Sequence, residues 1–381
     1  MKQLVILGST GSIGQQTLDV VRGLPDRFQV LGLAAGQNAT LLEEQAREFR
    51  PRLIWSEQED ARPALEAAAG AGARWIPLEE QAAQPDADLV VVGTVGRAGL
   101  APTLAALRAG KAVALANKEV LVMAGALVTQ AATRGGGELL PVDSEHSAIW
   151  QCLWGEDRSA IARVILTASG GAFRDYTPEQ LAGVTPEEAL RHPTWQMGRK
   201  ITVDSATLIN KGFEAIETRW LFDVPLERVE VVLHRESIIH SLVEFVDGSV
   251  KAQLGEPDMR LPIRIALCYP QRVANPATPP LDLARLGELH FEPIDYRRFP
   301  ALALALKAGR QGGTYPAALA AADEVAVGHF LAGHLRFTDI VSLLEDVLSA
   351  HTPAADTDLE AVLAADAWAR LRAEDWVRAK V

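Results

Sequence analysis

The first third of the chain alternates short apolar runs with segments whose apolar residues recur at helical spacing. Uninterrupted apolar runs are typical of parallel strands that are covered on both faces. The strands are predicted at 2–7, 29–35, 52–55, 88–92 and 111–115. The helices are predicted after residue 11 and near 40–49, 58–69, 97–109 and 118–134. This alternation predicts an α/β fold that begins with a Rossmann-like, doubly wound parallel sheet, which binds ligands at the carboxyl ends of its strands.

The pattern changes after residue 143. Strands near 163–167, 229–234, 241–246 and 250–254, with helices near 147–154 and 204–221, predict a central α+β domain. Prolines recur from 270 to 300 and indicate a linker. The remainder is rich in alanine and leucine and predicts a C-terminal helical bundle, with helices near 300–309, 315–332, 338–350 and 358–379. The predicted domains are 1–143, 144–269 and 300–381, and the linker is 270–299.

A glycine-rich turn follows the first strand. Gly8, Gly11 and Gly14 form a G-x-x-G-x-x-G variant of the dinucleotide fingerprint, in which glycines let the backbone approach a pyrophosphate at a helix N-terminus. A tight turn without a ligand is the alternative. After the second strand the chain reads Gly36-Gln37-Asn38 and lacks the acid that usually binds the ribose 2′-hydroxyl of NAD. On charge grounds this favours NADP(H).

Two carboxylates lie two residues apart after a short strand. In extended backbone Asp143 and Glu145 would point to the same side. Hard oxygen ligands without a nearby cysteine favour Mg²⁺ or Mn²⁺ over zinc. A solvated turn is the alternative interpretation. Lys118 follows the strand at 111–115, where cofactor and substrate meet in such sheets, although an ion pair at the start of a helix would also explain it.

Further candidates lie in the central domain. On a helix from 204 to 221, Asn210, Lys211 and Glu214 share one face, so Glu214 can supply a third hard ligand, or pair with Lys211 as a surface ion pair. The Pro- and Gly-containing segment of about 189–199 suits a mobile lid, or a structural loop around a core tryptophan. The turn at 168–171 can bind an oxyanion. His234 and His240 are expected to be packed core histidines.

Composition narrows the function. With 381 residues, 48% hydrophobic and 23% charged, the chain is typical of a soluble protein of two or three domains. A formal net charge of -12 argues against nucleic-acid binding. The chain contains no apolar run long enough for a membrane span. Because a predicted strand begins at residue 2, we expect no targeting peptide. Cys152 and Cys268 lie in apolar contexts that favour buried thiols in a reducing, cytoplasmic compartment.

These motifs together resemble the 1-deoxy-D-xylulose 5-phosphate reductoisomerase family along essentially the whole chain. The matching strings are GSTGSIG at 8–14, ANKE at 116–119, PVDSEH at 141–146, SGG at 169–171, HPTWQMG at 192–198 and DSATLINKG at 204–212. The resemblance implies an NADPH-dependent homodimer that uses one Mg²⁺ or Mn²⁺ per site. It implies conversion of 1-deoxy-D-xylulose 5-phosphate, a phosphosugar, to 2-C-methyl-D-erythritol 4-phosphate in non-mevalonate isoprenoid synthesis.

The resemblance also implies roles for individual residues. The metal ligands are Asp143, Glu145 and Glu214. The substrate contacts are Ser144, Ser169, His192, Ser205, Asn210 and Lys211, with Lys118 at the reacting end and Trp195 and Met197 in the lid. The cofactor contacts are Thr10, Gly11, Ser12, Ile13, Gly36, Gln37, Asn38, Asn117, Glu119 and Gly198. The family often has lysine where this chain has Gln37, which predicts a weaker preference for NADPH. An NADP-dependent dehydrogenase of the aspartate-semialdehyde or homoserine type and a silent NADP sensor are the alternatives.

Overall fold

A computed structural model describes residues 1–274, 280–354 and 357–380. The chain forms two compact units: Met1–Val120, Ala126–Ser147 and Asp258–Pro279 belong to the first, and Leu121–Gly125, Ala148–Pro257 and Pro280–Val381 to the second. Among the described residues, no helix is both long enough and apolar enough to cross a membrane. The predicted α/β class is confirmed.

The first unit is built on a seven-stranded sheet with every neighbouring pair parallel. Its strands are β1 (Lys2–Leu7), β2 (Phe28–Ala35), β3 (Leu53–Ser56), β4 (Arg74–Trp75), β5 (Leu89–Val92), β6 (Ala112–Leu115) and β7 (Glu138–Pro141). The strand order is β4-β3-β2-β1-β5-β6-β7, so the topology reverses between β1 and β5. Strand β4 was not predicted, because it has only two residues. Ligands of such sheets bind in the crevice at this reversal.

Helices cover the first sheet, as the alternation of elements predicted. They are α1 (Ser12–Arg22), α2 (Ala39–Phe49), α3 (Arg62–Ala69), α4 (Leu78–Ala82), α5 (Leu100–Arg108) and α6 (Lys118–Gly135, kinked at Ala124). Helix α7 (Ser144–Cys152) follows β7, and from Ala148 onward it belongs to the second unit. Strands β1 and β5 are fully buried over Leu4–Leu7 and Leu89–Val92, which explains why both lack polar residues there.

The second unit contains a mixed five-stranded sheet of order β11-β10-β8-β9-β12. Its strands are β8 (Ile161–Ala168), β9 (Val229–Leu233), β10 (Ile239–Phe245), β11 (Val250–Leu254) and β12 (Glu292–Pro293). Its first helices are α8 (Pro178–Leu181), α9 (Pro186–Ala189), α10 (Arg199–Thr207) and α11 (Ile209–Phe222). The single helix predicted for 204–221 is wrong, because Leu208 adopts a left-handed conformation (φ 58°) that separates α10 from α11.

The remaining helices are α12 (Arg260–Cys268) in the first unit, then α13 (Leu283–Leu286), α14 (Pro300–Gln311), α15 (Tyr315–Leu331), α16 (Phe337–Ala350) and α17 (Leu359–Lys380) in the second. Helices α14 to α17 share one apolar core with α10 and α11, to which Phe213, Phe330 and Leu343 contribute. The proline-rich segment also holds secondary structure, since β12 pairs with β9. Of that segment, 275–279 lies outside the described residues.

Candidate active site

The glycine-rich turn links β1 to α1 at the carboxyl edge of the first sheet. Gly8 has φ +84°, and a Cβ there would lie 2.6 Å from the carbonyl oxygen of Gly93 at the end of β5. A Cβ on Gly14 would lie 2.3 Å from the carbonyl oxygen of Gly8. Both positions therefore require glycine, and the first turn of α1 packs directly on the loop. Gly11 caps α1 without a side chain, which suits a phosphate at the helix N-terminus. This cradle fits a dinucleotide.

The loop after β2 contacts a carboxylate that sequence reasoning missed. The side-chain amide of Gln37 donates to Oε2 of Glu57 at 2.7 Å, and the Gln58 amide donates to the Gln37 carbonyl at 2.7 Å. Asn38 caps α2 by accepting from the Leu41 N–H at 3.1 Å. Glu57 directly follows β3, the parallel neighbour of β2. Knowledge of this strand order would have predicted that Glu57 lies beside Gln37. The segment Gly36–Asn38 itself contains no acid, but the Glu57 carboxylate lies beside Gln37.

Lys118 and Asp143 form an ion pair at the same sheet edge. They follow β6 and β7, which are adjacent parallel strands, so their carboxyl ends coincide. The Lys118 Nζ lies 2.7 Å from Oδ2 of Asp143, and both side chains are largely buried. Asn117, just before Lys118, is also buried and donates to the Gly96 carbonyl at 2.8 Å. Lys118 is therefore paired with Asp143, which is a predicted metal ligand and not a solvent-exposed carboxylate at the start of α6.

The carboxyl groups of Asp143 and Glu145 converge, but not by the predicted route. Helix α7 begins at Ser144, so Glu145 lies in a first helical turn and the argument from extended backbone is wrong. The two side chains nevertheless offer oxygens within 4.8 Å of each other. Ser144 donates to Oε2 of Glu145 at 2.6 Å and orients it. Two partly buried carboxylates with only oxygen donors fit a hard divalent cation.

In the second unit, a cluster of donors forms around His192. Its Nε2 lies 2.9 Å from the hydroxyl oxygen of Ser169 and 3.2 Å from that of Ser205. Gly171 (φ +68°) brings the two serines together, because a Cβ there would lie 2.5 Å from the Ser205 carbonyl oxygen. These three residues come from the turn after β8, the segment before α10, and α10 itself. The structure thus assembles three of the predicted substrate contacts.

The electrostatics of this cluster keep His192 neutral. Burial, followed by the positive charges of Arg174 and Lys211, lowers the pKa of His192 to about 4. Its Nδ1 accepts from the N–H groups of Trp195 at 2.9 Å and Thr194 at 3.2 Å. The proton of the neutral ring is therefore on Nε2, which donates into the cluster. Such a set of hydroxyl, imidazole and nearby cationic groups suits a phosphate.

Asn210, Lys211 and Glu214 lie on one face of α11, as their spacing predicted. The Asn210 amide donates to Oε1 of Glu214 at 2.6 Å, and the Lys211 Nζ lies 2.7 Å from Oε2. Glu214 is fully buried and Lys211 nearly so, which excludes the alternative of a surface ion pair. Gly212 lets α11 approach α14, since a Cβ there would lie 2.2 Å from the Cβ of Ala305. Gly198 caps α10.

The predicted lid segment runs from α9 to α10, and both of its candidate side chains are half-buried. The Trp195 ring centroid lies 6.0 Å from that of His240, a buried residue of β10, while Met197 lies two residues farther along. His234 is a packed core histidine, as expected. Its Nε2 accepts from the N–H groups of Ile238 and Ile239, and its Nδ1 donates to the His290 carbonyl.

Comparisons with known proteins show the family to which the chain belongs. Three family models match successive parts of the chain: 1-deoxy-D-xylulose 5-phosphate reductoisomerase over 4–125, its C-terminal domain over 139–222, and the DXP reductoisomerase C-terminal domain over 254–372. A reductoisomerase of Thermomicrobium roseum is 55% identical over 377 residues, covering 98% of this chain and 97% of the relative. The chain belongs to the 1-deoxy-D-xylulose 5-phosphate reductoisomerase family.

Other members of the reductoisomerase family extend the match. A reductoisomerase of Geobacillus kaustophilus is 53% identical over 97% of this chain and 98% of its own length. The Zymomonas mobilis reductoisomerase, solved with NADPH, superposes with a TM-score of 0.91 at 43% identity, covering 99% of both chains. A reductoisomerase solved with NADPH, fosmidomycin and magnesium superposes with a TM-score of 0.94 at 41% identity, covering 99% of this chain and 98% of that one.

The cysteines of this reductoisomerase-family chain are poor nucleophiles. Burial raises the pKa of the Cys152 thiol to about 11 and also raises the pKa of Cys268. A dehydrogenase of the aspartate-semialdehyde type needs a thiolate that attacks the substrate, so neither cysteine suits that alternative.

Proposed function

We propose that the chain converts 1-deoxy-D-xylulose 5-phosphate to 2-C-methyl-D-erythritol 4-phosphate with NADPH and a divalent cation. The observation that carries this proposal is the Lys118–Asp143 ion pair beside Glu145 at the carboxyl edge of a dinucleotide-binding sheet. A simple dehydrogenase needs hydride transfer alone, whereas an added pair of hard ligands fits a substrate with adjacent oxygens that rearranges before reduction.

The first unit would bind NADPH through the glycine-rich turn and the loop after β2. The proposed contacts are Thr10, Gly11, Ser12, Ile13, Gly36, Gln37, Asn38, Asn117, Glu119 and Gly198. Support comes from the backbone cradle at Gly8 and Gly14, which side chains would fill. Bound NADPH supplies the hydride. The segment 1–143 is accordingly proposed as the cofactor domain and 144–269 as the catalytic domain.

Asp143, Glu145 and Glu214 are the proposed metal ligands, with Mg²⁺ or Mn²⁺ as the ion. All three offer carboxylate oxygens, and each has a hydrogen-bond donor that orients it: the Glu145 N–H for Asp143, the Ser144 hydroxyl for Glu145 and the Asn210 amide for Glu214. These donors act as outer-shell partners of the ligands. The bound cation supplies Lewis-acid activation of substrate oxygens. Lys118 neutralises part of the negative charge on Asp143 and presents an ammonium group at the reacting end.

The phosphate is proposed to bind Ser169, His192, Ser205, Asn210 and Lys211, while Ser144 contacts the sugar. His192 holds its proton on Nε2, so it donates a hydrogen bond to the phosphate without itself carrying a charge. Lys211 supplies positive charge. Because the phosphate is remote from the reacting carbons, its binding energy can order the segment of Trp195 and Met197 over the site and exclude water.

Oxidation of NADPH tests this function directly, by its near-ultraviolet absorbance. Purified protein with 1-deoxy-D-xylulose 5-phosphate and Mn²⁺ should oxidise NADPH, and a chelator should stop the reaction. Glu145→Gln should reduce turnover, whereas Glu156→Gln, which removes a carboxylate paired with Lys251 elsewhere, should not. No oxidation with metal present would reject the proposal in favour of a dehydrogenase with another substrate or an NADP sensor.

We also propose a cytoplasmic homodimer. The turn after β10 and the edge strand β11 expose Val246 and Val250, an apolar edge that a second copy would cover. Light scattering during size-exclusion chromatography should give twice the chain mass, and Val250→Lys should shift the protein toward the monomer. A monomeric unaltered chain would refute this assignment.

A further inference from the structure

Lys200 joins three helices at one buried point. Its Nζ lies 2.7 Å from Oδ2 of Asp204, one turn along α10, and 2.7 Å from Oδ2 of Asp323 on α15. The same ammonium lies 5.2 Å from the centroid of the Phe213 ring on α11. The side chains of Asp204 and Asp323 are 3% and 0% exposed. A cation shared by two buried carboxylates is strongly held, since removing it would leave both charges desolvated.

Each helix at this point carries or supports a substrate contact. Ser205 directly follows Asp204 on α10, and its hydroxyl lies 3.2 Å from His192. On α11, Phe213 lies between Lys211 and Glu214, and its ring faces the bundle core. Helix α15 carries none of the proposed contacts, and the Lys200 bridge links it directly to a helix that does. The predicted lid segment, about 189–199, ends next to Lys200.

We propose that Lys200 is a positioning residue for the substrate phosphate. Its bridge between Asp204 and Asp323, over Phe213, sets the spacing of Ser205 and Lys211 and anchors the end of the lid to the helical bundle. This inference rests on the proposed function, because it assumes that Ser205 and Lys211 bind the phosphate. Lys200 itself need not touch the substrate.

The chain contains a matched control bridge. Arg370 on α17 joins Asp366 on its own helix, at 3.0 Å, to Glu324 on α15, at 2.5 Å. Asp366 is 2% exposed and lies four residues from its cation, as Asp204 does. The residues of this bridge lie on α15 and α17, and neither helix carries a proposed substrate contact. Asp366→Asn and Asp323→Asn therefore make the same chemical change in the same bundle.

The experiment compares steady-state kinetics and melting temperature for both variants. Asp323→Asn should raise the KM for 1-deoxy-D-xylulose 5-phosphate about fivefold, a size typical of substitutions that alter a binding site without touching its ligand. Its kcat and its KM for NADPH should stay within about twofold of the unaltered chain. The inhibition constant of inorganic phosphate should rise in parallel. Asp366→Asn should lower the melting temperature and leave both substrate KM and phosphate inhibition unchanged.

Lys200→Gln provides a second variant, because it removes the cation from both carboxylates while keeping a polar side chain. It should raise the KM at least as much as Asp323→Asn, and it carries the test if Asp323→Asn does not fold. An unchanged KM in the folded variant, or an equal rise in Asp366→Asn, would overturn the inference. Absence of turnover by the unaltered chain would instead overturn the proposed function.

Discussion

Replacing Glu57 with glutamine should strengthen the preference for NADPH over NADH. The Glu57 carboxylate accepts from the amide of Gln37, the residue predicted to contact the ribose 2′ substituent. A carboxylate at this position repels the 2′-phosphate of NADPH but not the 2′-hydroxyl of NADH. Glu57→Gln keeps the shape and removes the charge. Its effect should therefore appear in the ratio of the two cofactors rather than in both affinities.

The size of the effect follows from the geometry. Gln37 Nε2 lies 2.7 Å from the Glu57 oxygen, and a phosphate oxygen accepting from the same amide would lie about 5 Å from that carboxylate. At about 5 Å and an aqueous dielectric constant, one pair of unit charges repels by about 1 kcal/mol. A change of about 1 kcal/mol corresponds to about fivefold in the ratio. Because Glu57 is exposed, added salt should reduce this gain.

The assay is the ratio of kcat/KM for NADPH to that for NADH, measured at low and high ionic strength. Glu59→Gln is the matched control, since it removes an exposed carboxylate two residues away on the 3-10 turn Glu59–Ala61. We expect about a fivefold rise for Glu57→Gln, a smaller one for Glu59→Gln, and an unchanged kcat/KM for NADH. An unchanged ratio, or equal rises in both variants, would refute the reasoning.

Three further changes test the substrate and metal groups. Glu214→Gln should lower Mn²⁺ affinity at least about tenfold and reduce turnover, while NADPH binding, followed by its fluorescence, survives; loss of NADPH binding would contradict the assignment. Trp195→Ala should raise the substrate KM with an unchanged circular-dichroism spectrum, and an unchanged KM would remove Trp195 from the lid. The pKa of His192 is about 4 in the folded chain, below its usual 6.5, so as the pH falls His192 is protonated in the unfolded chain before it is protonated in the folded chain. Folding stability should fall by about 1 kcal/mol as the pH drops from 6.5 to 4, after allowance for partial exposure, and this loss should vanish in His192→Gln.

The first sheet could be predicted because its signals are local. Strands β1 and β5 are apolar over their whole buried length, and the glycines after β1 are required by backbone approach. Such features are visible in a few consecutive residues. The pairing of Lys118 with Asp143 needs one more step, the knowledge that β6 and β7 are neighbours. The order of strands in a sheet cannot be predicted from the residues of any single segment.

Two of the departures from the sequence-based expectations have non-local causes. Leu208 adopts φ 58° without being glycine, and no turn residue marks the end of α10. This side chain is fully buried, so packing around it compensates for a conformation that local propensity disfavours. Glu57 contacts Gln37 across 20 residues. The convergence of Asp143 and Glu145 was predicted for the wrong backbone, and here the cause is local. Asp143 caps α7: its Oδ1 accepts from the Glu145 N–H at 3.4 Å and its carbonyl oxygen accepts from the Ser147 N–H at 2.8 Å.

The C-terminal bundle has a larger part in the site than its sequence suggests. Its alanine-rich helices carry none of the proposed contacts, which is why the sequence indicates only a buttress. Yet Ala305 of α14 meets Gly212 of α11 between Lys211 and Glu214, and Asp323 of α15 meets Lys200 of α10. Small residues and one shared cation thus hold both substrate-binding helices against the bundle. Substitutions in α14 or α15 that preserve folding should therefore alter substrate KM more readily than cofactor KM, because the cofactor cradle belongs to the other unit.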